Sequence, residues 1–185
     1  YRRVAQPLAE PGQPGCFYRG HRLVSLDGTT LDLPDTPDLE SRFGRPSASR
    51  GKSGFPQLRL VALAETGTHA VFAAAFDRYA TGETTLARRL LDQLRPGMLC
   101  LADRAYVGFG RWRQATAGGA GLLWRLRVNQ VLPCVTALPD GSFLSRLYAS
   151  PDRRRRDEDG IAVRVIEYWL DGVPGAKPLY RLVTN

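Results

Sequence analysis

The feature that most constrains the fold of this 185-residue chain is an apolar run of five residues, 98–102, followed at once by Asp103. The run lies between two segments, 83–94 and 109–117, in which apolar residues recur at helical spacing. A short continuous apolar run between helices is typical of a strand that is buried on both faces of a sheet. The segment therefore predicts an inner strand of an α/β fold.

Other strand signals indicate that this inner strand belongs to a mixed sheet. Residues 21–26 and 29–33 are predicted as two strands joined by a turn at Asp27-Gly28, a dipeptide that favours hairpins. After residue 129, short strand-like segments replace the helices. The further predicted strands are 57–65, 69–77, 121–128, 131–138, 142–148, 161–170 and 179–183. This order predicts an α/β layer fold built on a mixed sheet with flanking helices.

A chain of this length accommodates one domain with its own core. Residues 1–20 contain three prolines and three glycines, a composition that predicts a linker from an N-terminal region outside the chain. Residues 34–56 are predicted as a long loop, and such loops inside a domain are usually functional or disordered. Because the chain begins with Tyr1 rather than Met, we expect a fragment of a longer protein.

Several negative features predict a cytoplasmic protein that does not enter a membrane. No apolar run approaches the ~20 residues that a membrane helix needs, and no signal peptide opens the chain. The three cysteines, Cys16, Cys100 and Cys134, fit neither a disulfide framework nor a zinc spacing. With only two histidines, a His/Cys metal site is not expected. We expect the cysteines to be small buried hydrophobic residues in a reducing compartment.

The charge of the chain favours a polyanionic partner. Its net charge is +8 and its pI about 9.9. Only Lys52 and Lys177 are lysines, so 26 − 2 = 24 of the cationic residues are arginines. A GC-rich genome would explain the preference for arginine, but it would not explain the excess of cations over anions. Because arginine presents a fixed fork of donors that matches phosphate oxygens, we expect a nucleic acid as partner.

Three groups of basic residues are candidate nucleic-acid contacts. They are Arg104, the set Arg45, Arg50 and Lys52 in the predicted loop, and the run Arg153, Arg154, Arg155 and Arg156. Arg104 is expected either to contact a phosphate or to pair with Asp103 or Asp77. The run suits contacts to a nucleic-acid backbone. Its alternative is a solvated loop that is balanced by neighbouring acidic residues.

Asp27 and Asp103 are the candidate catalytic and metal-binding residues. Each follows an apolar strand-like segment, and functional groups of open α/β sheets collect beyond the carboxyl ends of strands. On neighbouring strands, about 4.8 Å apart, two ionised carboxylates repel unless a divalent cation lies between them. The alternatives are that Asp27 is a turn residue before Gly28 and that Asp103 forms a surface ion pair with Arg104.

Five blocks of the sequence resemble DDE transposases of the insertion-sequence-four family. Residues 25–37 resemble the block of the first aspartate, and residues 101–106 resemble the block of the second. Between and after them lie further matches, in order, at 43–46 with 55–63, at 81–83 and at 123–126. The resemblance covers residues 21–185, nearly the whole chain. Ala105 stands where the family often has Gly.

The resemblance implies a ribonuclease-H-like catalytic domain in which Asp, Asp and Glu bind two Mg²⁺ ions, with Mn²⁺ as a substitute. Asp27 matches the first aspartate and Asp103 the second, 103 − 27 = 76 residues later. The implied activity is metal-dependent strand cleavage at transposon ends and strand transfer into target DNA. Two alternatives stay open, namely another ribonuclease-H-like nuclease and a non-catalytic, domesticated DNA-binding fragment.

The resemblance also implies a β-rich insertion within the chain and a catalytic residue after it. A β-rich insertion is expected at 129–170, and residues 180–185 resemble the strand before the helix that carries the catalytic Glu. We therefore expect that Glu beyond Asn185, and we expect this fragment to be inactive alone. The full-length enzyme is expected to be a homodimer at the nucleoid without a small-molecule cofactor.

Glu83 either favours the start of its helix through the helix dipole or has a role in the site.

Overall fold

The computed structural model describes residues 5–48, 51, 52, 54–127, 129, 130 and 132–185. In these ranges the strands are β1 (Phe17–Tyr18), β2 (His21–Asp32), β3 (Ser47–Ala48), β4 (Gly51–Lys52), β5 (Gln57–Glu65), β6 (Val71–Arg78), β7 (Met98–Ala102), β8 (Gly121–Arg125), β9 (Thr136–Ala137), β10 (Phe143–Leu147), β11 (Ile161–Tyr168) and β12 (Tyr180–Thr184). The helices are α1 (Pro37–Phe43), α2 (Glu83–Arg88), α3 (Phe109–Ala117) and α4 (Pro151–Arg156), with a 3₁₀ turn at Leu91–Gln93.

One large mixed sheet organises the chain, with strand order β6-β5-β2-β7-β8-β12-β11-β10-β9 and β1 beside β2. The pairs β2–β7 and β7–β8 are parallel, and the other pairs are antiparallel. Parallel neighbours need a crossover, which α2 with the 3₁₀ turn supplies before β7 and α3 supplies before β8. The predicted mixed sheet with flanking helices is confirmed. The predicted inner strand, β7, lies near its middle.

The predicted turn at Asp27-Gly28 is wrong. Strand β2 runs through both residues for twelve positions and pairs with β5 from Val24 to Asp32. Gly28 lies within this extended strand, and its missing side chain leaves room for Glu83 and Tyr106. A Cβ on Gly28 would lie 3.0 Å from Cδ of Glu83 and 3.2 Å from the hydroxyl oxygen of Tyr106. Glycine inside a strand often marks such a close approach.

Three other segments are more ordered or shorter than predicted. The predicted loop 34–56 contains α1, which Thr36 caps by accepting the N–H of Leu39, and the strand pair β3–β4. The helix predicted at 83–94 is shorter in the structure, because α2 ends at Arg88 and the 3₁₀ turn follows it at Leu91–Gln93. The arginine run lies in α4, because Ser150 and Pro151 provide a capped helix start.

The core lies between one face of the sheet and the helices α2 and α3. Alternate residues of the strands point to this face, among them Val24, Leu26, Val61, Leu63, Cys100, Leu122, Trp124 and Val183. Trp112 of α3 packs edge-on against Trp124, with ring centroids 5.2 Å apart. On the opposite face Leu23, Leu99 and Leu101 are only half-buried. The face of the sheet opposite the core is therefore the less covered one.

Residues 5–20, predicted as a linker, pack against the sheet. Ala9 and Cys16 are buried, and the N–H groups of Leu8 and Ala9 donate to the carboxylate of Glu65. Cys16 and Cys100 are buried as predicted, and burial raises the pKa of the Cys100 thiol to about 12. Cys134 differs from the prediction because it is exposed. Across the described ranges, no helix has both the length and the apolar character required to cross a membrane.

Candidate active site

Asp27 and Asp103 lie next to each other on the two central parallel strands. In the β2–β7 pair, Leu26 lies opposite Ala102, so each aspartate is the next residue in the same direction. Strand β7 ends at Ala102, whereas β2 continues to Asp32, so only Asp103 follows the end of a strand. The two aspartates line one cleft of about 510 Å³. We call it the carboxylate cleft.

The carboxylate cleft lies on the less covered face of the sheet. Because side chains alternate along a strand, Asp27 shares this face with Leu23 and Ser25, while Val24 and Leu26 enter the core. Its walls are mainly apolar, and Arg125 contributes the cation at its side. The further lining residues are Ser25, Leu26, Leu101, Ala102, Leu123 and Leu182.

Neither aspartate of the cleft is neutralised within the described part of the chain. Both side chains are exposed, and Asp27 accepts only the N–H of Gly28, at 2.8 Å. The alternative pairing of Asp103 with Arg104 does not form there, and Asp77 pairs instead with Arg89 at 2.7 Å. Most carboxylate oxygens of the cleft therefore stay open to solvent and to a cation.

Tyr106 lies behind the cleft, on the core side of β2, and was not singled out from the sequence. Its side chain is 1% exposed, and its hydroxyl has no hydrogen-bond partner among the described residues. Burial raises the pKa of Tyr106 most, and the nearby charges of Glu83, Asp27 and Asp103 raise it further. The charges of three carboxylates therefore act on this phenol. The signal in the sequence was Gly28, the one glycine of β2, whose missing side chain leaves room for the phenol and for Glu83.

Glu83 begins a helix and lies beside Gly28, and its role in the site stays a prediction. It is the first residue of α2, where a negative charge favours the helix dipole. Its carboxylate also lies beside Gly28 and forms an ion pair with Arg59 at 3.0 Å. Arg59 in turn donates to the carbonyl of Tyr79. Glu83 is thus neutralised next to the site, whereas Asp27 and Asp103 are not.

Four of the eight predicted DNA contacts, Arg45, Arg153, Arg155 and Arg156, have acidic partners. Arg45 pairs with Asp35 and Glu40, and these hydrogen bonds raise its pKa against the opposing effect of burial, the Glu40 bond being the strongest cause. Arg50 lies outside the described residues, and of Lys52 only the backbone, in β4, is described. Arg104 is exposed beside Asp103.

In α4 the four arginines differ in their partners. Arg153 pairs with Glu158 and Asp159, at 3.2 and 2.7 Å. Arg155 and Arg156 both pair with Asp152, at 3.1 and 3.4 Å. Within the described ranges Arg154 has no carboxylate partner. The charged run is therefore neither a uniform DNA-binding surface nor a uniformly balanced one.

The comparisons with known proteins identify the family. Residues 18–161 match the family model described as "Transposase DDE domain". The chain belongs to the DDE transposase family. The resemblance to DDE transposases found in the sequence blocks is thereby confirmed.

Two proteins of Escherichia coli (strain K12) are similar to this DDE domain in sequence. "Transposase InsG for insertion sequence element IS4" is 29% identical over 145 residues, which cover 77% of this chain and 33% of that protein. "Putative transposase InsZ" is 30% identical over 107 residues, which cover 57% of this chain and 36% of that protein. The chain spans about a third of the length of these relatives.

A solved structure with a weak likeness is an endonuclease V from Bacillus subtilis. It is 13% identical, with a TM-score of 0.34, and the match covers 87% of this chain and 64% of that one. At this score the likeness supports no argument about the DDE domain.

Proposed function

We propose that this DDE domain catalyses metal-dependent DNA strand cleavage at transposon ends and strand transfer into target DNA. One observation carries the proposal. The parallel register of β2 and β7 brings Asp27 and Asp103 together in an open cleft, and neither carboxylate has a cationic partner among the described residues. In a member of this family, these positions match the first two catalytic aspartates.

The chemistry of the cleft fits a hard divalent cation. DDE transposases generally use divalent metal ions. Mg²⁺ prefers oxygen ligands and is usually held by one or two carboxylates, which is what Asp27 and Asp103 offer. The described residues contain no group of three or more His, Cys, Asp or Glu that could hold a metal ion. From these two carboxylates we propose Mg²⁺, with Mn²⁺ as a substitute, and from the sequence resemblance we propose a Glu after Asn185 as the third carboxylate.

When bound, two such ions would stabilise the attacking and the leaving oxygen of an in-line displacement at phosphorus. The protein itself contributes position and surroundings. The N–H of Gly28 orients the carboxylate of Asp27, and Leu101 and Leu123 form apolar walls of the cleft. Arg125 supplies a positive charge beside the cleft that favours a phosphate there.

The proposed substrate is DNA, in the form of transposon ends and a target duplex. The net charge of +8 supports this choice, because a basic surface attracts DNA and releases its counterions. For the full-length enzyme we propose a homodimer that acts at the nucleoid in the cytoplasm, without a small-molecule cofactor.

A titration calorimetry experiment with Mn²⁺ tests the proposed metal site. The 185-residue chain is titrated as wild type, as Asp27→Asn, as Asp103→Asn and as the control Asp171→Asn, which removes the same charge at an exposed position. We expect at least a tenfold weaker affinity in the first two variants and no change in the control. Equal affinity in all four proteins would refute the assignment of the cleft.

A further inference from the structure

A second cleft adjoins the carboxylate cleft and extends away from it. Its first part, of about 620 Å³, is lined by Asp103, Arg104, Ala105, Arg127 and Asn129. Its second part, of about 350 Å³, begins at Gly108 and Gln130 and ends at α4. The parts adjoin because both lie between the β7–α3 loop and the chain segment after β8. We call the two parts together the basic groove.

Three arginines of the basic groove have no carboxylate partner in the described ranges. Arg104 and Arg127 are exposed in its first part, and Arg154 of α4 lines its far end. Arg146 also lines the far end, but it pairs with Asp157 at 3.2 Å. The groove thus carries positive charge at both ends that the described part of the protein does not balance.

A further positive charge lies beside Gly108, one of the residues that line the groove. The guanidinium of Arg111 is held under Gly108 by the carbonyls of Tyr106 and Val107, at 2.7 and 3.2 Å, and not by a carboxylate. Burial lowers the pKa of Arg111 most, and repulsion from Arg88 and Arg127 lowers it further. A bound anion reduces the electrostatic repulsion between like charges that lie this close together.

Helical geometry explains why only one arginine of α4 is available. Successive residues of an α-helix point about 100° apart, so the four arginines project in different directions. Three of them meet acidic residues of the same segment, namely Asp152, Glu158 and Asp159. Arg154 instead lines the groove together with Ser150 and Pro151.

We propose that the basic groove binds the phosphodiester backbone of a DNA strand that leaves the carboxylate cleft, with Arg104, Arg127 and Arg154 as its contacts. This inference rests on the proposed function. It assigns the DNA path to a groove rather than to the arginine run as a whole. The groove opens beside Asp103, so a strand that reaches the carboxylates can continue into it. Arg153, Arg155 and Arg156 take no part.

The test compares two arginines of the same helix. Binding of a fluorescein-labelled DNA duplex to the 185-residue chain is measured by anisotropy over a range of NaCl concentrations. Each phosphate contact contributes about 0.9 to the slope of log K against log salt. We expect Arg154→Ser to reduce the slope by about 0.9 and Arg155→Ser, with the same loss of charge, to leave it unchanged. Arg104→Ser and Arg127→Ser should each resemble Arg154→Ser.

The outcomes separate this inference from the proposed function. If the wild type binds DNA and the Arg154 and Arg155 variants lose the same amount of slope, only the overall charge matters and the groove is refuted. If the wild type binds DNA and Arg104→Ser, Arg127→Ser and Arg154→Ser all keep the full slope, the groove is also refuted. If the wild type itself does not bind DNA, the proposed function fails for this chain. Urea unfolding of each variant confirms that the exposed substitutions leave the fold intact.

Discussion

Two carboxylate environments on the same pair of strands differ sharply. Glu65, at the end of β5, is completely buried and lies opposite Val24 of β2. It pairs with Arg22 and accepts the hydroxyl of Thr68 at 2.5 Å and two backbone N–H groups at 3.2 and 2.8 Å. Asp27, three residues further along β2, is exposed and accepts one backbone N–H.

The difference shows how a fold separates structural from functional acids. Four donors are directed at the carboxylate of Glu65, so its charge is satisfied inside the protein and holds the N-terminal segment on the sheet. Buried charges are tolerated only with such partners. Asp27 and Asp103 have almost none among the described residues, which leaves their oxygens available for an external cation. The predictions that follow test this contrast.

The largest expected effect is on stability, from Glu65→Gln. Removing one partner of a buried ion pair leaves the other charge uncompensated and typically costs 3–5 kcal/mol. Because the Arg22 side chain is 23% exposed and keeps some water, we expect about 3 kcal/mol, at the low end of that range. Urea unfolding measures the change. A loss below about 0.5 kcal/mol, as for an ordinary surface substitution, would show that the network is not structural.

The acid dependence of stability is expected to follow the same glutamate. Burial alone would raise the pKa of Glu65, but the hydrogen bonds from Thr68, Arg22, Ala9 and Leu8 together lower it below its ordinary value of 4.5. A lowered pKa in the folded state stabilises the protein above the unfolded pKa, and this stabilisation is lost as the pH falls through the folded pKa.

The measurement is the free energy of unfolding between pH 7 and pH 3 for the wild type and Glu65→Gln. We expect the wild type to lose more stability than the variant below about pH 4.5, the ordinary value of this carboxyl group. Asp77 and Asp140 also have lowered pKa values, but both proteins share them, so the difference isolates Glu65. Parallel curves would contradict the assignment.

The sequence predicted the elements with strong local signals and missed those that depend on partners distant in the chain. The apolar run at β7 and the helix α3 were predicted to the residue, because a continuous apolar run and a helical spacing of apolar residues are strong local signals. The turn at Asp27-Gly28 was wrong because its dipeptide signal is overridden by nine paired residues of β5 and by the approach of Glu83.

The candidate site shows the same division. The two aspartates followed from their positions after apolar segments. The hydrogen bonds and the ion pair that neutralise Glu65 could not be predicted, because their donors Leu8, Arg22 and Thr68 lie far apart in the sequence or outside any recognisable pattern. For the same reason the arginine run was interpreted as one unit, although only the three-dimensional contacts distinguish Arg154 from its neighbours.

A smaller effect is expected from Gly28→Ala. The added methyl carbon would lie 3.0 Å from two carbons of Glu83 and 3.2 Å from the hydroxyl of Tyr106, so these side chains must shift. Overpacking of this kind costs about 1–3 kcal/mol, and we expect the lower half of that range because Glu83 is partly exposed. Gly54→Ala is the control, since nothing lies within 4 Å of its Cβ position. Equal stability of the two variants would show that the strand tolerates a side chain beside the site.

The smallest effect on stability is expected at the carboxylates of the cleft themselves. Asp27→Asn and Asp103→Asn remove exposed charges without an ionic partner in the described chain, and each replacement relieves repulsion between two neighbouring acids. Without divalent cations we therefore expect each variant to unfold within about 0.5 kcal/mol of the wild type, on either side. With Mn²⁺ at about 100 times its dissociation constant, the wild type should gain about 2.7 kcal/mol, and the variants should gain much less. A loss of several kcal/mol in metal-free buffer would place these aspartates with Glu65, as acids that hold the fold, and would remove the basis for a cation site in the cleft.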